Sequence, residues 1–472
     1  MYINGEWIHS NKELKVFNPA NGKLVGVVPL VGENETRHAI EAADRAFPAW
    51  SNLSADTRAD YLQKVVGKLM EKKEHLAQII TQEMGKPITN ARTEVDSTIG
   101  FFRWYAEEAR RVYGEIIPAA KNKRVSVIKQ PVGVVAAITP WNFPLSMAAR
   151  KLGPALAVGC TVILRPSREA PLSSVELVKI LDEVGIPKGV VNLVIGGASE
   201  IVTPIMESKV VKKVSFTGST QVGKELVKQS ADTLKRVSME LGGHAPFIVF
   251  EDADIDLAVE GALRSKFTSA GQQCICANRL YIHESVYEEF ATKFAEKAKE
   301  LKIGDGISDD VQIGPLVNQS AVEKADKHVQ DAASKGARVL CGGRRIQEGA
   351  FVQGSFYEPT VLAEVDESMV ITYEETFGPV APLMKFKSEE EVIKKANHTE
   401  YGLAAYFYTK DLSRMYRVGE ALEYGMLGIN DPSPFSVQSP FGGIKESGMG
   451  REGGHHGMED YLHIKTMSVQ LY

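Results

Sequence analysis

The chain has 472 residues, 44% hydrophobic and 24% charged, which is enough for a full core and excludes disordered, collagen-like and disulfide-scaffold classes. Lys and Arg number 55 against 60 Asp and Glu, a formal net charge of −5, so we expect neither nucleic acid nor an anionic membrane as a partner. Four irregularly spaced cysteines predict no disulfide framework and no zinc site. Because no signal-peptide pattern opens the chain and prolines interrupt its longest apolar stretch, the expected location is the cytoplasm.

The first hundred residues predict a short hairpin followed by helices. Apolar residues recur at helical spacing from Leu62 to Ile80, with Gly85 placed to end that helix, and another helix is predicted over 92–112. From 132 to 240 the pattern changes, and short apolar runs alternate with helix-length segments: 132–138, 161–164, 190–195, 211–216 and 235–240. This alternation is typical of a parallel sheet with crossover helices. It repeats from 243 with a strand at 245–250 and a helix at 286–301, which indicates a second α/β lobe.

A glycine-marked turn from Gly218 to Lys224 follows the strand that is predicted to end at Phe216. It nearly matches a P-loop, but Glu225 stands where a magnesium-binding Ser or Thr is required, which disfavours a P-loop nucleotide hydrolase. The turn suits a pyrophosphate held at a helix N-terminus, with Ser219 adding a hydroxyl contact. The alternative is a plain strand-to-helix turn capped by Ser219.

Cys274 is the candidate nucleophile, because Gly271 and two glutamines precede it and make a polar, flexible approach unlike a core strand. The alternative is a small buried hydrophobe. In an extended segment Cys276 projects on the same face as Cys274, and we rank its roles as packing, pocket wall and redox partner, in that order.

Glu240 is the candidate general base, since it ends an apolar strand directly before a glycine pair that permits close approach. A solvated residue at a strand end is the alternative. Glu374 and Glu375 precede Phe377 in a turn where a carboxylate could hold the hydroxyls of a ribose. The ten histidines show no ligand spacing, and we expect no metal site.

Six motifs occur in one order along the chain: 140–144 (PWNFP), 216–219 (FTGS), 240–243 (ELGG), 271–274 (GQQC), 375–379 (ETFGP) and 440–443 (PFGG). In this combination the chain resembles the NAD(P)-dependent aldehyde dehydrogenase superfamily along nearly its whole length. Within that superfamily, segments 105–108, 149–151 and 271–279 are most similar to succinate-semialdehyde dehydrogenases.

The resemblance implies an α/β architecture of three parts. These are a doubly wound, Rossmann-like cofactor domain at 1–115 and 133–242, a second α/β catalytic domain at 243–445, and a small β oligomerisation element at 116–132 and 446–472. A C-terminal strand from Tyr461 to Leu471 would be an exposed edge in a monomer, so we expect a homodimer or homotetramer.

The resemblance also implies a catalytic sequence. Cys274 attacks the aldehyde, the Asn142 side chain and the Cys274 backbone N–H hold the oxyanion, and Glu240 activates the water that opens the thioester. The alternative is a catalytically silent relative, which the presence of all three residues disfavours.

For an NADP or NAD cofactor, the resemblance implies contacts from the following residues: Trp141 at the nicotinamide end, Gly218 and Ser219 at the pyrophosphate, Leu241, Glu375 at the nicotinamide ribose, and Phe377. The family often has Lys followed three residues later by Glu at the adenosine ribose. This chain has Arg165, Ser167 and Arg168 instead, without a negative charge. Two guanidinium groups suit a phosphate, so we predict that NADP is accepted.

A helix predicted after Asn142 places four residues on one face, and the resemblance makes that face the wall of the substrate tunnel: Phe143, Ser146, Met147 and Arg150. A cation there indicates an acidic aldehyde such as succinate semialdehyde; the alternative is an internal ion pair of Arg150. Gln273 and Ser436 are the other predicted substrate contacts. Many succinate-semialdehyde enzymes carry a second Arg where this chain has Thr268, so lactaldehyde, glycolaldehyde, sulfolactaldehyde or broad specificity remain open.

Overall fold

Helices dominate the first 110 residues of the computed structural model, which describes residues 1–472. The helix α2 begins after Ser54, whose Oγ accepts a hydrogen bond from Thr57 N at 3.1 Å, and α3 ends at Gly85 in the left-handed region at φ +86°. The helix predicted over 92–112 starts four residues earlier, directly after Pro87. The elements up to residue 131 are β1 Tyr2–Ile3, β2 Glu6–Trp7, β3 Glu13–Phe17, β4 Leu24–Pro29, α1 Glu33–Ser51, α2 Ala55–Glu71, α3 Lys73–Met84, α4 Ile88–Glu108, β5 Glu115–Ile117 and β6 Lys123–Pro131.

The next segment builds a parallel sheet with crossover helices, as its alternating apolar runs predict. Its elements are β7 Val134–Ile138, α5 Ser146–Val158, β8 Thr161–Arg165, α6 Leu172–Glu183, β9 Val191–Leu193, α7 Ala198–Glu207, β10 Val211–Thr217, α8 Thr220–Ser230 and β11 Arg236–Glu240. The five strands lie parallel in the order β11-β10-β7-β8-β9. The strand order therefore reverses between β7 and β10, and the carboxyl ends at such a reversal are where open α/β sheets bind ligands.

The rest of the chain forms a second sheet and returns to the first. Its elements are β12 Ala245–Val249, α9 Ile255–Phe267, β13 Ala277–His283, α10 Tyr287–Lys299, α11 Gln319–Ser334, β14 Arg338–Cys341, β15 Thr360–Ala363, β16 Val380–Phe386, α12 Glu389–Asn397, β17 Ala404–Tyr408, α13 Leu412–Ala421, β18 Met426–Ile429, β19 Gly448–Met449, α14 His456–Glu459 and β20 Leu462–Gln470. The second sheet has the order β14-β15-β16-β13-β12-β17-β18, with only β14 antiparallel. Two separate hydrophobic cores result, one drawn mainly from residues 1–241 and the other from 245–441.

A third sheet joins β20, β6 and β5, and β20 pairs with the full length of β6. The segment 446–472 is not wholly part of it: β19 pairs with β11 in the first sheet, and Met458 and Tyr461 belong to the first core. The oligomerisation element was expected to begin at residue 446. The residues from 448 to 461 instead contribute to the first sheet and to its core. No helix is both long enough and apolar enough to span a membrane.

Candidate active site

Cys274 follows a backbone segment held in an unusual conformation. Ser269 and Ala270 have φ of 52° and 56°, and Gly271 follows at +73°, where a Cβ would collide with the Gly378 carbonyl. Left-handed conformation in residues other than glycine costs about 1–2 kcal/mol each, so surrounding contacts must hold it. Gln272 does so: its Nε2 donates to Ser269 O at 3.2 Å and its Oε1 accepts from Val317 N at 2.9 Å.

The Cys274 thiol is half-buried and lines a cavity of about 330 Å³. Burial raises the pKa of this thiol to about 12; the Arg150 charge opposes the rise, and Glu375 and Glu240 add to it. The thiol is therefore protonated at neutral pH before a ligand binds, and its reaction needs a group that takes the proton.

Cys276 lies apart from this cavity. Residues 273–276 form a turn rather than an extended segment, so the prediction that Cys276 shares the face of Cys274 is wrong. Its Sγ is buried 3.5 Å from Lys266 O, and all four cysteines are free thiols. This position fits the first-ranked role, packing.

Asn142 lies four residues after the end of β7, at the carboxyl edge of the first sheet. Its side chain is buried, and Nδ2 donates to Gln272 O at 3.0 Å, which links the two cores beside Cys274. An amide nitrogen carries two hydrogens, so one N–H is anchored and the other remains for a ligand oxygen.

Glu240 ends β11 and is buried, 3% exposed, so the alternative of a solvated strand end is wrong. Neither carboxyl oxygen has a hydrogen-bond partner. Burial and then the neighbouring Glu452 carboxylate raise the pKa of Glu240 well above its usual range, against the charges of Lys151 and Arg150. A carboxyl group with a raised pKa holds a proton more strongly than an ordinary glutamate, which suits a general base.

The carboxyl ends of β10 and β11 form a cradle suited to a dinucleotide. Ser219 precedes α8 but its side chain caps no backbone N–H, which disfavours the plain capped turn and leaves the helix terminus for an anion. A Cβ at Gly242 would lie 3.2 Å from Glu375 Oε2, and Glu375 Oε1 accepts from Gly243 N at 3.3 Å. Burial raises the pKa of Glu375 to about 7.

Other residues predicted for the cofactor border the same edge. Leu241 follows Glu240, and its side chain fills the space where a Cβ at Gly223 would stand; a Cβ at Gly218 would likewise collide with Phe216. Across the cleft, Trp141 packs edge-on against Phe377 with ring centroids 5.5 Å apart. The residues present therefore fit a bound NAD(P).

Arg165 ends β8 in the same row of strand ends, with Arg168 three residues later. The Nε of Arg165 is buried without a hydrogen-bond partner, while Arg168 is exposed. Burial and then the Arg168 charge lower the pKa of Arg165, as expected where two cations face one space without an anion. Ser167 Oγ accepts from Glu169 N at 3.3 Å.

The cavity beside Cys274 gathers five of the residues predicted for the tunnel wall or for substrate contact, namely Phe143, Ser146, Met147, Arg150 and Gln273. Phe143 reaches it from the turn before α5, because the helix begins at Ser146 and not at Phe143 as predicted. Gln273 is held by its own Nε2, which donates to Thr268 O at 2.8 Å.

Arg150 is the buried cation of this cavity, 4% exposed. Its guanidinium lies 4.3 Å from the ring centroid of Phe441, 5.0 Å from Phe101 and 5.8 Å from Phe435. Its Nε and Nη1 have no hydrogen-bond partner, and no carboxylate pairs with it. The alternative of an internal ion pair is therefore wrong, and the aromatic rings alone do not satisfy the charge.

The structure does not bring Ser436 to the cavity. This residue is exposed, and its Oγ lies 3.3 Å from Ser439 Oγ, whereas Ser433 and Phe435 of the same loop line the cavity. The conformation of the loop decides which of its residues line the cavity. The spacing of these residues along the chain does not predict that conformation.

Sequence reasoning missed Arg264, which lies on α9 and also lines the cavity. It stands one helical turn before Thr268, whose Oγ1 donates to Arg264 O at 2.7 Å. No carboxylate pairs with its guanidinium. The four-residue spacing to Thr268 was the available signal, because side chains at i and i+4 share one face.

The chain is similar to known proteins along nearly its whole length. The family model "Aldehyde dehydrogenase family" matches residues 7–467. The succinate-semialdehyde dehydrogenase [NADP(+)] of Escherichia coli is 51% identical over 99% of this chain and 97% of its own length. The glutarate-semialdehyde dehydrogenase of Pseudomonas putida is 50% identical over 100% of this chain and 97% of its own.

Solved structures show the same fold. A structure titled as an E. coli NADP-dependent enzyme superposes with a TM-score of 0.97 at 51% identity, covering 100% of this chain and 98% of the other. Betaine aldehyde dehydrogenase from Staphylococcus aureus, solved in complex with NAD+, gives a TM-score of 0.97 at 36% identity over 99% and 94%.

Two lobes that meet beside a half-buried thiol, with strand ends next to it that suit a dinucleotide, are typical of a nicotinamide-dependent oxidoreductase. The chain belongs to the aldehyde dehydrogenase family, and it is an NAD(P)-dependent aldehyde dehydrogenase. The predicted family, α/β fold and enzyme class are confirmed.

Proposed function

We propose that this enzyme oxidises a short aldehyde with a distal anionic group, similar to succinate semialdehyde, to its carboxylic acid. The observation that carries the proposal is Arg150, a buried guanidinium without an acidic partner in the cavity that contains Cys274. A buried charge without a partner is costly, and a carboxylate or sulfonate on the substrate would supply one.

The relatives support an anionic substrate. Besides the succinate- and glutarate-semialdehyde dehydrogenases, a 3-sulfolactaldehyde dehydrogenase of Pseudomonas putida is 50% identical over 99% of this chain and 96% of its own length. These three named substrates share an aldehyde and a distal acid group. Arg264 supports the same class, because it adds a second positive charge to the cavity wall.

In the proposed reaction Cys274 Sγ bonds to the aldehyde carbon, and its proton passes to Glu240. The second N–H of Asn142 and the Cys274 backbone N–H stabilise the oxyanion. The bound nicotinamide supplies a hydride acceptor. Glu240 releases the thiol proton to solvent before hydrolysis, and its carboxylate then removes a proton from the water that opens the thioester on Cys274 and releases the acid.

For the cofactor, we propose that Arg165 and Arg168 accept the 2′-phosphate of NADP. The support is the unpartnered Nε of Arg165 and the absence of an acidic residue between these cations. Trp141, Gly218, Ser219, Leu241, Glu375 and Phe377 are the other proposed contacts.

We also propose the domain division given above, with residues 1–115 and 133–242 for cofactor binding and 243–445 for catalysis, and a cytoplasmic homodimer or homotetramer. Ile464, Met467 and Val469 on β20 are exposed apolar side chains on an edge strand, which supports self-association. Light scattering of the wild type and of Met467→Lys tests the assembly, and a monomeric wild type would contradict it.

The substrate proposal is tested with two aldehydes of four carbons, succinate semialdehyde and butanal, which differ in the distal carboxylate. Initial rates of NADPH and NADH formation are measured for both, with 3-sulfolactaldehyde and glycolaldehyde as further substrates. We expect kcat/KM to favour the acidic substrates. Equal kcat/KM for butanal would leave a broad-specificity enzyme, and no turnover of any aldehyde would indicate a catalytically silent relative.

A further inference from the structure

A fully buried ion pair lies directly behind the turn that carries Asn142. Lys86, just before α4, and Glu94, within α4, have no exposed side-chain surface, and Nζ lies 2.6 Å from Glu94 Oε2. Neither residue has a role in the reaction described above. A buried ion pair is often no more stabilising than apolar residues of the same volume. Stability alone therefore does not explain why these two charges are buried at this place.

The Lys86 ammonium contacts three groups around the turn, namely Glu94, the Asn142 carbonyl and the Phe143 ring. Besides Glu94 it donates to the backbone carbonyl of Asn142 at 2.8 Å, and it lies 3.6 Å from the ring centroid of Phe143. No surface remains for solvent or substrate. Lys86 therefore holds the main chain of the residue whose side chain faces the nucleophile.

Glu94 holds the element that follows. Its Oε1 accepts from Leu145 N at 2.9 Å and from Ser146 N at 3.2 Å. These are N–H groups at the start of α5, which has no side-chain cap of its own. A carboxylate from α4 thus caps the helix on which Arg150 stands, at its positive end.

We propose that Lys86 and Glu94 are positioning residues that orient the Asn142 amide toward the oxyanion. This inference rests on the oxyanion role assigned to Asn142 above. Asn142 is held at two points, its carbonyl by Lys86 and its Nδ2 by Gln272 O. Without Lys86 the first anchor is lost, and the amide turns away from the position where negative charge develops.

The test is a double-mutant cycle on kcat between Lys86→Met and Asn142→Ala. Asn142→Ala keeps the backbone carbonyl that Lys86 contacts but removes the amide, with an expected loss in kcat of about 10²–10³-fold. Lys86→Met alone is expected to lower kcat about 10–100-fold for acidic and neutral aldehydes alike, because both form an oxyanion. Added to Asn142→Ala, it is expected to lower kcat by less than about threefold.

The cycle separates positioning from a merely structural role. A structural role lowers thermal stability in both backgrounds and multiplies the two kcat losses, and that result would overturn the inference. Undiminished kcat in Asn142→Ala would instead overturn the oxyanion assignment itself. Lys235→Met is the matched control, since Lys235 is also buried and donates to backbone carbonyls. Lys235 precedes the start of β11, whereas Glu240 and the active site lie at its end.

A second variant covers the case in which Lys86→Met does not fold with Glu94 left uncompensated. Lys86→Met/Glu94→Gln removes both charges together and keeps an oxygen for the N–H groups of Leu145 and Ser146. The same cycle with Asn142→Ala then applies, with the same expected non-additivity, and independent losses overturn the inference.

Discussion

Replacing Arg150 by Met removes the positive charge from the cavity while keeping a long side chain against Phe101 and Phe441. The Nε and Nη1 of Arg150 have no partner within the protein, so a ligand in the cavity can accept hydrogen bonds from them. A hydrogen bond to a charged group contributes about 1.5–3 kcal/mol. At about 1.4 kcal/mol per factor of ten, kcat/KM for succinate semialdehyde is expected to fall about 10–150-fold, mainly through KM.

Butanal serves as the internal reference, because Arg150 also acts on the nucleophile. Its charge lowers the pKa of the Cys274 thiol, so its loss raises that pKa and slows the attack on every aldehyde. The rate of Cys274 alkylation by iodoacetamide as a function of pH measures this common effect. The ratio of kcat/KM between succinate semialdehyde and butanal then reports the anion contact alone.

Arg103→Met is the matched control variant, since Arg103 is an exposed residue of α4 whose Nη2 contacts Met70 Sδ outside the cavity. It is expected to leave the substrate ratio unchanged. If Arg150→Met lowers kcat/KM equally for both aldehydes, Arg150 acts on the nucleophile or on the fold and does not bind an anionic group of the substrate.

Three further predictions concern the rest of the site. Arg168→Glu is expected to lower kcat/KM with NADP at least about 10-fold while NAD is spared, because the charge facing the 2′-phosphate is inverted; equal losses would refute the assignment. Glu240→Gln is expected to slow NADPH formation in the first turnover, because no carboxylate takes the Cys274 proton, and to slow thioester hydrolysis as well; a full-rate burst of NADPH in a rapid-quench experiment would exclude Glu240 as the acceptor of the thiol proton. In the wild type, kcat is expected to fall as the pH drops through the raised pKa of Glu240, because the protonated acid cannot act as a base. Glu452→Gln removes a charge that raises this pKa, so the fall in kcat is expected to move to lower pH. A fall that stays in place or moves to higher pH contradicts the cause given for the raised pKa.

Local sequence patterns determined most of the elements and the candidate catalytic residues. Apolar runs and glycine positions predict β7 to β11 within a few residues, because backbone conformation follows largely from spacing and from the φ that each residue permits. The side-chain types of Cys274, Glu240 and Asn142, together with the motifs around them, were enough to predict a nucleophile, a base and an oxyanion donor. Local rules were less accurate at the start of α5, which was predicted to include Phe143 but begins at Ser146, where Glu94 of α4 accepts from two backbone N–H groups.

Only the tertiary structure decided how these residues are charged and paired. Arg150 is without an acidic partner, and Glu240 is buried beside Glu452, because segments hundreds of residues apart in the chain meet there. Tertiary packing also places Arg264 on the cavity wall and leaves Ser436 outside the cavity. It likewise brings Lys86 into contact with the Asn142 carbonyl. Burial and electrostatic pairing are properties of the packed whole, and the spacing of residues along one segment does not contain them.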